Sequence, residues 1–143
     1  MTTINAKTLN TTTEITEEKA MTIVNLTQHN ATNDQIDAGV FNVDYDHNEL
    51  DYLRSLLTFD SIPTIEDMQQ RADEIAKIAL RTNAKKAMIG GAPFFMGYLE
   101  TALKSVGIQP LYAFSQRVSV ETTAEDGTVT KQNVFKHMGF VEV

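Results

Sequence analysis

From Met21 onward, short β-rich runs alternate with segments of helical period, and a chain so patterned has few ways to bury its apolar residues. Met21–Thr27, rich in β-branched residues and bounded by Gln28-His29-Asn30, reads as a first strand. Asn33–Ala38 reads as a short helix closed by Gly39, and Val40-Phe41-Asn42-Val43 as a second strand. Between His47 and Leu57, residues Leu50, Leu53, Leu56 and Leu57 share one helical face. Ser61-Ile62-Pro63 breaks the chain. Thr64, with Asp67 three positions on, opens a longer helix whose apolar stripe is Ile65, Met68, Ala72, Ile75, Ala76 and Ala79, with Asn83 as its end.

Ala87-Met88-Ile89 is the next strand, and Gly90-Gly91-Ala92-Pro93 leads from it into a helix carrying Phe95, Tyr98, Leu99, Ala102, Leu103 and Val106. Pro93 suits the first turn, and Gly107 the termination. Ile108–Phe114 is a further strand, prolonged by the alternation of Val118, Val120 and Thr122. Glu125-Asp126-Gly127 turns the chain, and Thr128–Val143 returns antiparallel.

That order predicts an α/β fold: a small Rossmann-like, mostly parallel sheet flanked by helices, finished by a C-terminal antiparallel hairpin. Sheets of this kind bind ligands at the carboxyl ends of their strands, where the strand order reverses. Three polar or Gly-rich segments fall at those ends: Asn25–Asn30, Gly90–Pro93 and Ser115–Arg117. The chain has 143 residues, enough to bury roughly two-thirds of its unfolded surface in one domain. Residues 1–20, Thr-rich with Glu14, Glu17 and Glu18 and no period, read as a flexible leader, and 21–143 as the single domain.

With 12 Lys and Arg against 19 Asp and Glu, the net charge is −7. That argues against long nucleic acid, which is held by basic patches. A small phosphorylated ligand stays open, because a few N–H groups and a cation can outweigh a diffuse negative field. No apolar run is long enough for a membrane span. The chain has no Cys, hence no disulfide or thiolate metal site. The first residues lack the apolar core of a signal peptide, so the expected compartment is the cytoplasm.

Gly90-Gly91-Ala92-Pro93 leaves N–H groups at a helix start, an anion site or simply a tight turn that needs small residues. It has neither GxGxxG spacing nor a P-loop Lys, so no cofactor is implied. His29, flanked by Thr27, Gln28 and Asn30, is either a base for a hydroxyl or a solvent-exposed loop residue. Arg117 suits phosphate through its planar fork, with Ser115 and Gln116 beside it, or is a hairpin charge facing water. His47 is a helix-start residue, and His137 reads as packed and hydrogen-bonded inside the last strand, facing away from Lys136. No carboxylate or histidine spacing suggests a metal, and Ser115 and Ser119 lack a nucleophile-elbow context.

The C-terminal third carries Pro110-Leu111-Tyr112-Ala113-Phe114-Ser115-Gln116-Arg117, then Val120-Glu121, Asp126-Gly127-Thr128-Val129 and Asn133-Val134-Phe135-Lys136-His137-Met138-Gly139-Phe140. With Asn25-Leu26-Thr27-Gln28-His29 through Asp34-Gln35, it resembles small stand-alone CRISPR-associated proteins of compact CARF-like fold, among them ring nucleases that open cyclic oligoadenylates, and their viral relatives. The chain departs from that pattern at Phe114, where a hydroxyl is usual, at Gly139, where a basic residue is common, and in Gly91-Ala92-Pro93.

The resemblance implies a nucleotide-binding homodimer that takes cyclic oligoadenylate, tetra-adenylate above all. It implies metal-independent attack of a ribose 2′-OH on the adjacent phosphorus, leaving 2′,3′-cyclic phosphate ends and switching off a nucleotide-signalled antiviral defence. His29 and Arg117 would then be catalytic, and Asn25, Thr27, Gln28, Gly90, Gly91, Ala92, Ser115 and Gln116 would bind the ligand. Two rival expectations are a non-catalytic sponge that sequesters such a signal, and a protein-interaction module without a ligand. Bacterial and viral origins are both open.

Overall fold

The computed structural model describes residues 22–44 and 48–143; the leader 1–20, Met21 and His47 lie outside them. Three short parallel strands, β1 (Ile23–Asn25), β2 (Val40–Asn42) and β3 (Lys86–Met88), alternate with helices α1 (Asn33–Asp37), α2 (Glu49–Leu56), α3 (Ile65–Arg81) and α4 (Pro93–Ser105). The hairpin strands β4 (Gln109–Thr123) and β5 (Val129–Glu142) complete a five-stranded sheet of order β2-β1-β3-β4-β5. The fold is therefore the mixed, Rossmann-like α/β sheet that the alternation predicts.

Register lines the strand ends up. Asn25 lies opposite both Asn42 and Met88, and Met88 opposite Leu111, so β1, β2 and β3 finish level beside β4. The alternation of side chains then sorts the sheet into two faces. Val24 and Ala87 pack under α2, α3 and α4 through Leu53, Ala72, Ile75, Leu99 and Leu103. On the opposite face Ile23, Val40, Met88 and Leu111 form a smaller buried cluster with Ala31 and Phe140. Crossovers of one hand, running from β1 outward to β2 and then back past β1 to β3, put α1 and the longer helices on opposite faces.

Local chemistry sets the helix boundaries. Thr32 and Gln35 form a reciprocal capping box on α1, and the Thr64 hydroxyl accepts from the Asp67 N–H at the start of α3. Pro93 occupies the first turn of α4, where no intrahelical N–H is required. Arg71 pairs with Asp67, donates to the carbonyls of Leu56 (3.1 Å) and Thr58 (2.7 Å), and lies 4.4 Å over the Phe59 ring, tying the connection between α2 and α3 onto α3. No helix among the described residues is long and apolar enough to cross a membrane.

Beyond Leu111, β4 has outrun β3 and continues with β5 alone, so the hairpin leaves the sheet as a two-stranded ribbon. It rises from the carboxyl rim of the parallel strands. Its register shifts where Phe114 pairs with Gly139 and Ser115 with His137. Met138 is the extra residue, and Gly139 beside it has φ +142°, a bulge that re-aims the strands above it.

Candidate functional site

In this strand order the chain leaves β1 toward β2 and re-enters the sheet on the other side of β1 at β3. The loops after β1 and β3 therefore diverge to opposite faces and leave a crevice between them. The structure has a cleft of about 410 Å³ at that point, within the range typical of small-ligand sites. The loop after β1 supplies Thr27, Gln28, His29 and Asn30; the loop after β3 supplies Gly90 and Gly91. The α1 cap adds Thr32 and Gln35, and β4 adds Tyr112 and Ala113.

Asn25 shapes the first of these loops. It is 2% exposed, and its amide is saturated. Nδ2 donates to the His29 carbonyl (2.7 Å) and to Asn42 Oδ1 (2.8 Å), while Oδ1 accepts from the Thr27 N–H (2.9 Å) and hydroxyl (2.7 Å). Those four bonds exhaust what the group can make. Asn42 Oδ1 also accepts from the Ala31 N–H, which carries the chain from the loop into α1. Asn25 is thus committed to holding the loop, and its amide has nothing left for a ligand. Gln28 Nε2 donates to Thr58 Oγ1 at 2.8 Å, fastening the loop to the end of α2. His29 gives its carbonyl to Asn25 and keeps an exposed imidazole.

On the other wall, Gly91 has φ +151°, and a Cβ there would meet Met96 Cε at 3.3 Å. The conformation calls for glycine, and a Cβ would fit only if the end of the Met96 side chain gave way. Among the described residues no backbone bond takes the N–H of Gly90 or Gly91, so both are available donors. Ala92 is the N-cap of α4, offers no side-chain cap and packs on the core, outside the cleft wall.

Tyr112 turns its hydroxyl toward the helices and donates to Glu100 Oε2 at 2.7 Å. Burial, then the bond to Glu100 and that carboxylate's charge, push its pKa well above the ordinary value of 10.0. The folded state therefore keeps a proton that the unfolded chain releases once the pH passes 10, and stability falls with further alkalinity. Tyr112→Phe should remove that contribution: above pH 10 its Tm should decline less steeply than the wild-type Tm. Parallel slopes would show that the hydroxyl is not linked to folding.

The three segments of the predicted site are only partly united. Thr27, Gln28, His29, Gly90 and Gly91 line one cleft, whereas Ser115, Gln116 and Arg117 lie farther up the ribbon. Strand parity separates these three. Ser115 and Arg117 share the face of Ala113, a cleft residue, while Gln116 is on the opposite face with its partner Lys136. The Arg117 guanidinium sits 5.5 Å from the Phe135 ring.

His137 packs edge-on against Phe140, ring centroids 4.9 Å apart, but its buried Nδ1 has no hydrogen-bond partner. The packing agrees with the sequence expectation; the hydrogen bond is missing. Sequence reasoning also passed over Thr32 and Gln35, whose capping pattern is the only signal they carry. It passed over Arg54 too, whose Nη2 donates to Asn30 Oδ1 at 3.1 Å. Nothing in the sequence distinguishes Arg54 from an ordinary last-turn cation.

No curated protein and no solved structure matches the chain. One family model does, over residues 21–141, which take in every element described above except the last residue of β5. On that match, the chain belongs to the group described as the Uncharacterized protein MJ1673 family.

Proposed function

We propose that this protein is a cytoplasmic homodimer that binds a cyclic oligoadenylate, tetra-adenylate above all, and opens it as a CARF-like ring nuclease would. The observation that carries the reading is the switch-point cleft, where Gly90 and Gly91, whose N–H groups take no backbone partner among the described residues, line a small-ligand volume together with hydroxyl, amide and imidazole side chains. Uncommitted N–H groups at such a rim suit a phosphate. Hydroxyl and amide groups suit ribose and base edges. One cleft holds only part of a four-membered ring, and a two-fold dimer would set two clefts against it.

Cleavage requires the ribose 2′-oxygen to attack the adjacent phosphorus. The O2′–P bond forms, the P–O5′ bond breaks, and a 2′,3′-cyclic phosphate remains while the 5′-oxygen takes a proton. The protein's part is to align the two oxygens and stabilise charge on the phosphate. His29, held by its backbone and free at its ring, takes the 2′-OH proton. No Lys or Arg is among the described residues that line the cleft, which favours a second reading, a sponge that holds the ring without opening it.

Incubation with cyclic tri- and tetra-adenylate in EDTA, followed by chromatography, separates these readings. Linear products with cyclic phosphate ends support the nuclease, and His29→Ala should then slow their release by about 100-fold, the lower end of general-base contributions. Intact ring retained through gel filtration supports the sponge. Neither products nor retention would leave only a protein-interaction module.

A further inference from the structure

The ribbon face above the cleft holds a second set of polar groups that the cleft does not use. Ala113 lines the cleft and pairs with Phe140, and the next pairs on the same face are Ser115 with His137 and Arg117 with Phe135. At roughly 3.3 Å per residue, Ser115 and His137 stand about 7 Å beyond Ala113, and Arg117 about 13 Å. The first of these distances is the reach of one further nucleotide unit, and Arg117 stands just beyond it.

These groups are uncommitted, and His137 is firmly seated. Of the four arginines, Arg54 donates to Asn30, Arg71 is bound to Asp67 and Arg81 to Glu49, whereas Arg117 has no hydrogen-bond or carboxylate partner among the described residues. It is held only against Phe135, itself 71% exposed. His137 is fixed by Phe140, which is rooted in the cluster of Ile23, Val40, Met88 and Leu111, and Met88 also lines the cleft. With Nδ1 buried, Nε2 is the nitrogen that the ring can offer a ligand. An unpaired arginine fork, an imidazole and a hydroxyl on one strand face match the tetrahedral oxygens of a phosphodiester.

We infer that Arg117, His137 and Ser115 form a phosphodiester subsite on the ribbon, which takes the phosphate following the nucleotide seated in the cleft. The ligand class, an oligonucleotide, rests on the function proposed above; the anion chemistry does not. Two measurements test the subsite. With cyclic tetra-adenylate, His137→Gln and Arg117→Ala should each weaken binding tenfold or more. Lys136→Gln, which removes a cation from the opposite face next to His137, should change it less than twofold.

Separately, excess inorganic phosphate should move the ring ¹⁵N shifts of His137 in the wild-type protein, and much less in Arg117→Ala. Unmoved shifts, or a loss in Lys136→Gln equal to that in Arg117→Ala, would overturn the subsite even if nucleotides bind in the cleft. A wild-type chain that binds no cyclic tetra-adenylate, yet shows the phosphate response, would overturn the nucleotide reading and leave the subsite standing.

Discussion

Phe95→Ala is expected to lower the free energy of unfolding by about 3–5 kcal/mol. The ring is fully buried, meets Phe59 edge-on at 5.3 Å between centroids, and sits two residues after Pro93 in the first turn of α4. Truncation removes the transfer free energy of an aromatic ring and leaves a cavity between α4 and the chain entering α3. Because the walls are themselves packed helices and sheet, little of that cavity can collapse. Phe95→Leu keeps most of the volume and should cost less than about 1.5 kcal/mol. Urea denaturation of the two variants beside wild type gives both numbers. A loss below about 1 kcal/mol in the alanine variant would mean that the ring is not a keystone of the core.

Asn25→Leu should be the most damaging polar substitution, costing about 2–4 kcal/mol through partners left unsatisfied in a buried network. Leucine fills the same space, so the cost is not a cavity. It strands the Thr27 N–H and one side of Asn42 and leaves the His29 carbonyl with only the Thr27 hydroxyl, and so removes what holds residues 27–30 in shape. Any ligand of the cleft should be lost with it. Asn25→Asp should also fail, since a carboxylate has no proton to give the His29 carbonyl or Asn42 Oδ1. Denaturation curves together with the amide shifts of residues 26–31 test the claim; unchanged shifts in Asn25→Leu would refute it.

Most of the fold was legible because it rests on local signals. Thr64 caps its helix, Pro93 starts another, and the stripe from Met68 to Ala79 is buried as its period requires. The cleft was legible in part for the same reason: Thr27–Asn30 and Gly90-Gly91 follow strands whose ends the topology brings level. What escaped depends on long-range geometry. Asn25 reads as a ligand group by position, yet its partners Asn42 and His29 become its neighbours only when β2 and the loop close on it. How far β4 would outrun β3 was also unreadable. Strand length follows from the pattern of β-formers, but the number of paired residues follows from where β3 stops. That mismatch carries Ser115 and Arg117 up the ribbon and turns Gln116 to its other face.

The same mismatch leaves the ribbon with hydrogen-bonding rows along both margins that no neighbouring strand among the described residues occupies. Open margins recruit other chains and begin aggregates unless something spoils the fit. Here Lys131 and Lys136 put charge on β5, a bulge at Met138 breaks its regular pleat, and Glu121 lies across from Lys131 at 3.6 Å. These features make the arm a poor template for indiscriminate strand addition. It can stand clear of the body and still show one selected face to the rim beneath it.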